Sequence, residues 1–227
     1  MRLADVRVKV CGLTQSADVA AAVEHGAWAV GFVVWPASPR AVTISHVREL
    51  AAQVPEGVKR VGVLVNPALD DVRRLRDETQ LTTIQLHGDE DVTPFLSLGV
   101  EVIKAVALRS DADVERAAAL PAEVTVLVDG HDPVRRGGTG ERADWTRAAI
   151  LSRRRPVILA GGLHADNVTD AIEQVAPWGI DISSGLEGVP GIKDPAKIER
   201  FFALLKVDTY GTGGLQPRVV SRKVGKS

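Results

Sequence analysis

The stretch Val6-Arg7-Val8-Lys9-Val10-Cys11-Gly12-Leu13-Thr14, residues 6–14, joins an apolar strand to a glycine turn, and an amphipathic helix follows it. Such strand–loop–helix units build the parallel sheets of α/β folds. In those folds, the residues just past the carboxyl end of a strand face the ligand-binding rim. Cys11, the only cysteine of the chain, stands at that point. It is therefore a candidate for chemistry, although a lone cysteine can also be a small buried apolar residue.

The same unit recurs along the whole chain. Apolar runs rich in valine and isoleucine predict eight strands, at residues 7–10, 28–33, 59–64, 82–86, 101–106, 124–128, 156–159 and 179–182. Segments with helical spacing alternate with them, at residues 16–25, 43–52, 68–77, 91–97, 111–119, 144–152, 164–176 and 194–205. Eight such units predict a closed, parallel (β/α)8 TIM barrel. An open doubly wound sheet is the alternative, because the sequence shows alternation and not closure.

The composition is that of an ordinary globular domain, with 45% hydrophobic and 25% charged residues. No apolar run approaches the ~18–20 residues that cross a bilayer, and the amino terminus lacks the apolar stretch of a secretion signal. A single cysteine allows no internal disulfide, so we expect a reducing, cytoplasmic location and no membrane partner. We expect one catalytic barrel domain over residues 1–207. The remaining residues, 208–227, predict a flexible basic tail whose few charges do not indicate nucleic-acid binding.

Glycine and serine residues gather after the seventh and eighth predicted strands. Gly161 and Gly162 follow the seventh strand, and Ser183, Ser184 and Gly185 follow the eighth. Glycine lets backbone N–H groups approach an anion closely, and the amino terminus of a helix adds its positive dipole end. In TIM barrels this pair of loops frequently binds phosphate. We therefore predict a phosphate site there.

Asp129 ends the sixth apolar run on the same rim as Cys11. A carboxyl at an apolar barrel mouth can stay protonated and donate a proton, or it can simply cap a loop amide. A cysteine at the same mouth needs a nearby positive charge, such as Lys9 or Arg40, to form a thiolate base. Lys9 lies inside an apolar strand and can point to either face of it.

Other chemistries lack their sequence patterns. The five histidines show no metal-ligand spacing, and one cysteine cannot make a structural zinc set. The GGTG at residues 137–140 lies in neither a Walker nor a dinucleotide-binding pattern, and no G-x-S-x-G elbow is present. We expect no metal, no nucleotide and no serine nucleophile.

Six motifs, in this order, resemble those of one enzyme family. They are VKVCGLT at 8–14, GFVVWPASPR at 31–40, QLHGDE at 85–90, VLVDG at 126–130 with GGTG at 137–140, LAGGLHADNV at 159–168, and DISSGLEGVPGIKD at 181–194. The chain resembles the phosphoribosylanthranilate isomerases of tryptophan biosynthesis over roughly residues 7–205.

The resemblance implies a cofactor-free Amadori rearrangement of N-(5-phosphoribosyl)anthranilate, with the glycines after strand seven and the serines after strand eight gripping its phosphate. By the same resemblance, Asp129 is the general acid that opens the sugar ring, and Cys11 is the general base. Arg40 contacts the anthranilate, Asp181 lies near the substrate, and His87 lines the site. The family includes monomers and dimers, so we expect a monomer or homodimer that binds a small phosphosugar.

Two other functions stay open at this point. Another phosphosugar barrel, such as an aldose–ketose isomerase of histidine biosynthesis, would share the phosphate loops. Those enzymes usually pair two aspartates, whereas here Cys11 follows the first strand. A catalytically silent barrel that only binds a sugar phosphate would have lost the acid or the base, and both Asp129 and Cys11 are present.

Overall fold

The computed structural model describes residues 3–130 and 143–206. Its eight parallel strands close into a barrel, because each strand pairs with the next and β8 pairs back with β1. Closure confirms the predicted TIM barrel and excludes the open sheet. The strands are β1 (Arg7–Cys11), β2 (Ala29–Val33), β3 (Lys59–Leu64), β4 (Thr83–Leu86), β5 (Glu101–Val106), β6 (Val124–Val128), β7 (Val157–Leu159) and β8 (Gly179–Ile182).

The α-helices lie between the strands and after the last one. Thr43 accepts a hydrogen bond from the His46 amide and so caps α2, while Asp194 caps α7 ahead of Pro195. None of the helices among the described residues is long and apolar enough to cross a membrane. The helices are α1 (Ser16–His25), α2 (Ile44–Ala51), α3 (Leu69–Glu78), α4 (Asp111–Ala118), α5 (Trp145–Ser152), α6 (Val168–Val175) and α7 (Pro195–Lys206).

Two predicted helices differ from the structure. The segment 91–97 was expected to be an α-helix, but a six-residue 3-10 helix, Thr93–Leu98, stands there. Its buried residues, Phe95 and Leu98, are three positions apart, which matches the period of a 3-10 helix. The helix predicted at 164–176 begins only at Val168, because the Asn167 side chain bonds the His164 amide and the Gly162 carbonyl and so holds a turn.

Alternation along the strands divides the apolar core into two parts. Val8 and Val10 belong to the larger cluster between the strands and the helices. Cys11 belongs to the smaller cluster, which fills the inside of the barrel. Lys9, two residues before Cys11, points to the same interior. The other buried members of the inner cluster are Ala29, Val61, Val63, Ile103, Ala105, Leu127, Ile158 and Ala160.

A small antiparallel hairpin follows β8 and was not anticipated from the sequence. A 3-10 helix, Ser184–Leu186, leads into its strands β9 (Glu187–Val189) and β10 (Ile192–Lys193). Gly191 turns the hairpin in the left-handed region, at φ 86°. Because the hairpin folds back at the carboxyl end of the barrel, it carries charged residues to the rim.

Several sequence predictions fall on residues outside the described ranges. These are the GGTG at 137–140, the domain boundary at residue 207 and the basic tail at 208–227. The single-domain division and the tail therefore stay predictions.

Candidate active site

A cavity opens at the carboxyl ends of the strands. Nine of the ten residues singled out from the sequence line it, namely Cys11, Arg40, His87, Asp129, Gly161, Gly162, Asp181, Ser183 and Ser184.

Cys11 ends β1 and is 8% exposed. Lys9, two residues earlier on the same face of β1, is completely buried and donates a hydrogen bond to Asp181 on β8 over 2.9 Å. Lys9 and Asp181 are also register partners of the paired strands. The Lys9 ammonium and the Cys11 thiol both end beside Gly31, where an added Cβ would stand 3.1 Å from Lys9 Nζ and 2.9 Å from Cys11 Sγ. The base candidate therefore belongs to a buried group of thiol, ammonium and carboxylate.

The charged members of this group shift the pKa of Cys11 in opposite directions. Burial raises the pKa of the Cys11 thiol; the Lys9 ammonium acts against this shift, and the Asp181 carboxylate acts with it. Burial likewise raises the pKa of Asp181. For Lys9, burial disfavours the ammonium, but Asp181 and Cys11 outweigh it and raise the pKa of Lys9. Cys11 is therefore a thiol at neutral pH in the free protein, and Lys9 is an ammonium.

Asp129 follows β6 and faces the cavity with one oxygen. The Oδ1 atom accepts a hydrogen bond from the Gly130 amide over 2.7 Å, so the carboxylate caps a loop amide. The Oδ2 atom lies 3.2 Å from His87 Nε2. His87 Nδ1 in turn lies 2.9 Å from the Gln85 side-chain amide. Asp129 thus has one oxygen fixed by the backbone and the other joined to a chain of two polar side chains.

Arg40 reaches the rim from the loop after β2 and is held by the hairpin. Its Nε and Nη2 atoms donate to the two carboxylate oxygens of Glu187, each over 2.7 Å. Lys193 contacts the same carboxylate over 2.9 Å. Burial would raise the pKa of Glu187, but Arg40 and Lys193 outweigh it and lower that pKa. Arg40 is therefore a fixed cation, oriented before any ligand arrives.

The two phosphate-loop candidates lie side by side at the rim. Gly161 and Gly162 both adopt positive φ, at 81° and 63°, which glycine tolerates best. Gly185 does not line the cavity. A Cβ on it would stand 2.0 Å from the Leu163 carbonyl oxygen, so this glycine lets the loop after β8 pack against the loop after β7.

Four charged or polar residues of this region were not assigned from the sequence. Lys9 could have been placed beside Cys11 by the two-residue period of a strand, once the inward face was known. Gln85 follows the same rule relative to His87. Glu187 and Lys193 gave no local signal, because their partner Arg40 lies 147 residues away from Glu187 along the chain. Among residues 3–130 and 143–206, no group of three or more histidine, cysteine or acidic side chains forms a metal site.

A closed (β/α)8 barrel with a thiol, carboxyls and a fixed guanidinium converging at the carboxyl ends of its strands is the arrangement of TIM-barrel enzymes. The family model of N-(5'phosphoribosyl)anthranilate (PRA) isomerase matches residues 8–203. The N-(5'-phosphoribosyl)anthranilate isomerase of Chromohalobacter salexigens is 44% identical over 198 residues, which cover 87% of this chain and 92% of that protein. The chain therefore belongs to the PRA isomerase family.

Solved structures of the family match as well. Phosphoribosyl anthranilate isomerase from Thermotoga maritima superimposes with a TM-score of 0.81 at 37% identity, covering 88% of this chain and 98% of that one. Another phosphoribosyl anthranilate isomerase, in complex with reduced 1-(o-carboxyphenylamino)-1-deoxyribulose 5-phosphate, gives 0.78 at 36% identity, with the same coverage. The resemblance seen in the six motifs and the predicted enzyme class, an isomerase, are confirmed.

Proposed function

We propose that this protein converts N-(5-phosphoribosyl)anthranilate to 1-(2-carboxyphenylamino)-1-deoxyribulose 5-phosphate, with Asp129 as general acid and Cys11 as general base. One observation carries the proposal: the thiol and the carboxyl line a single cavity in a barrel of the PRA isomerase family. The solved relative that holds a reduced 1-(o-carboxyphenylamino)-1-deoxyribulose 5-phosphate supports the same substrate class. The reaction balances within the substrate and these two side chains, so the proposal includes no cofactor.

The ligand would lie between two groups of binding residues. Its phosphate would rest against the backbone of Gly161 and Gly162 and the serines after β8, where amide donors meet an anion. Its anthranilate carboxylate would face Arg40. Glu187 holds the Nε and Nη2 atoms of this guanidinium, which leaves the Nη1 atom for the ligand. A fixed cation loses little freedom when the ligand binds.

The acid step needs a proton at the ring oxygen of the sugar. Asp129 would donate it from the Oδ2 oxygen, while the bond from C1 to the ring oxygen breaks and the anilino nitrogen lone pair forms a protonated Schiff base. His87, whose Nε2 atom lies 3.2 Å from this oxygen, would hold the carboxyl in place for the transfer.

The base step removes the proton from C2 of the open sugar. The ionised form of Cys11 takes this proton and becomes a thiol, while the C2–H bonding electrons form a C1=C2 double bond and the π electrons of the C1=N bond move onto the nitrogen, which gives an enolamine. The enolamine then becomes the ketone by accepting a proton at C1 and losing one from the C2 hydroxyl. Cys11 and Asp129 both lie at the mouth, so the acid and the base act on one bound substrate.

The two alternative functions differ in what they predict for this site. An aldose–ketose isomerase of histidine biosynthesis would share the phosphate loops, and acceptance of its substrate is a second activity to test. A silent phosphosugar-binding barrel would bind the substrate without turnover. The presence of Cys11 after β1 and of Asp129 after β6 favours the anthranilate substrate.

The test is a fluorescence assay with freshly generated phosphoribosylanthranilate, run in parallel with the aldose substrate of the histidine pathway. We expect the anthranilate substrate to be consumed rapidly. The silent barrel is supported if the protein binds this substrate with no turnover, and the histidine-pathway enzyme is supported if only the aldose reacts. Either result contradicts the proposal.

We further propose a cytoplasmic monomer or homodimer. The free thiol of Cys11 supports a reducing compartment. A relative from Thermotoga maritima is described as dimeric, which supports the homodimer as one possibility. Sedimentation velocity on the full chain distinguishes the two forms.

A further inference from the structure

Lys9 is a fully buried lysine inside the barrel, at 0% exposure. Burying an ammonium is strongly unfavourable unless a partner compensates it, and Asp181 supplies that partner at 2.9 Å. Such a buried ion pair stabilises a fold no better than apolar side chains of similar volume. The inner cluster around it is otherwise apolar. The position of this pair therefore points to chemistry at the mouth rather than to packing.

The ammonium of Lys9 also lies near the thiol of Cys11. The two residues are two positions apart on β1 and share its inward face. Both side chains end beside Gly31 on the neighbouring strand β2. A Cβ on Gly31 would stand 2.9 Å from Cys11 Sγ and 3.1 Å from Lys9 Nζ. The missing side chain at residue 31 thus leaves the space in which the two groups meet.

We propose that Lys9 is a positioning residue for the base of the reaction, in which its ammonium, anchored by Asp181, is the counter-ion of the Cys11 thiolate. This inference rests on the proposed function, because it concerns how the proposed base is activated. When Cys11 loses its proton, the new negative charge lies against an existing positive one. When the thiolate takes the proton from C2, its negative charge is lost, and the ammonium keeps its pair with Asp181.

Other charged groups face Cys11 and set the background against which Lys9 acts. Asp181 on β8 opposes the thiolate, while Lys193 on β10 favours it. Arg40, from the loop after β2, also interacts with Cys11. His87 and Asp129, from the far side of the mouth, act on Asp181. Among these cations, Lys9 lowers the pKa of Cys11 most and so stabilises its thiolate most.

The test measures the pH dependence of Cys11 alkylation by iodoacetamide in the absence of substrate. The chain has one cysteine, so the mass increase of the intact protein reports Cys11 alone. We expect Lys9→Met to move the midpoint of the alkylation rate upward by about one pH unit or more, which is a loss of about tenfold in rate at pH 8. The same shift should appear in the acidic limb of kcat/KM.

If Lys9→Met alone does not fold, the double variant Lys9→Met/Asp181→Asn replaces it. The double variant removes both partners of the buried pair and so leaves no unpaired buried charge. We expect its midpoint to lie above that of the wild type as well. Lys104→Met is the matched control. It removes another buried lysine, paired with Glu90 at 2.6 Å on the outer side of β5, and should leave the Cys11 midpoint where it was. An unchanged midpoint in the folded Lys9 variants overturns the proposal.

A measurement on the wild type keeps the proposal testable without any substitution. In 13C-lysine NMR, the Lys9 Cε resonance should titrate with the same midpoint as the Cys11 thiol and lose that step after alkylation. A Lys9 resonance that shows no titration step at the midpoint of the thiol overturns the proposal. The alkylation and NMR readouts do not use isomerase turnover. A wild type that does not rearrange phosphoribosylanthranilate therefore contradicts the proposed function alone, and an insensitive thiol contradicts the role of Lys9 alone.

Discussion

The two ends of the barrel are lined by different kinds of side chain. At the amino ends of the strands, Trp28 and Trp178 meet edge to face with ring centroids 5.0 Å apart, and Arg7 stacks over Trp178 at 4.4 Å. Both rings pack on the inner apolar cluster and close it. At the carboxyl ends, the same interior ends in Cys11, Asp181 and the other polar groups of the mouth. One end is assembled for stability and the other for chemistry, so substitutions at the two ends should affect different measurements.

The largest effect is expected at the mouth, from Cys11→Ser and Asp129→Asn. Each should lower kcat by about 100-fold or more, equivalent to about 2.7 kcal/mol of transition-state stabilisation, because a positioned acid or base is lost. The melting temperature should change little, since both side chains lie at the rim. Steady-state kinetics and calorimetry on the same samples check this. Wild-type rates in either variant would remove that residue from its role.

Removal of the Arg40 guanidinium from the rim should have the next largest effect. Arg40→Ala should raise KM about tenfold or more, the effect of one lost charged contact to a carboxylate, with a smaller change in kcat. Arg40→Lys is the informative companion, because an ammonium cannot reproduce the two-point contact with Glu187 and should restore affinity only in part. Unchanged KM in Arg40→Ala would separate this residue from the anthranilate.

At the opposite end, Trp178→Ala should destabilise the protein without altering the chemistry. Loss of the ring contacts with Trp28 and Arg7 should lower the free energy of unfolding by about 2 kcal/mol, since the ring is only partly buried. Urea denaturation measures this change, and kcat of the folded variant should stay at the wild-type value. A fall in kcat without a fall in stability would contradict the division between the two ends.

The smallest effect is expected from inorganic phosphate. At ten times its dissociation constant it should stabilise the folded protein by about 1.4 kcal/mol, a rise of a few degrees in melting temperature. Ser184→Asp places a like charge in the loop after β8 and should abolish the rise, whereas sodium chloride at equal ionic strength should not reproduce it in the wild type. An equal rise with both salts would argue against a phosphate site.

The repeating unit of the fold was readable from the sequence, because all eight strands are rich in apolar residues and alternate with segments of helical spacing. The pairing of β8 with β1, which closes the barrel, joins distant parts of the chain and was not readable. The 3-10 helix after β4 was not readable either, since six residues are too few to separate a period of 3.0 from one of 3.6. In the site, Cys11 and Asp129 were found because each ends a strand. The two-residue period of β1 relates Lys9 to Cys11, but which face of β1 points inward, and the pairing of Arg40 with Glu187, depend on contacts between distant parts of the chain that no local pattern encodes.

The glycine at position 31 has a consequence for how this enzyme can change. Any residue with a Cβ would push against Cys11 Sγ and Lys9 Nζ at once, so β2 and β1 cannot vary independently at this level of the barrel. A library randomised at position 31 and selected for the ability to form the rearranged product should return glycine, whereas one randomised at the neighbouring outward-facing Val30 should return several apolar residues. The lack of a side chain at residue 31 of β2 thus limits which substitutions β1 can accept beside it.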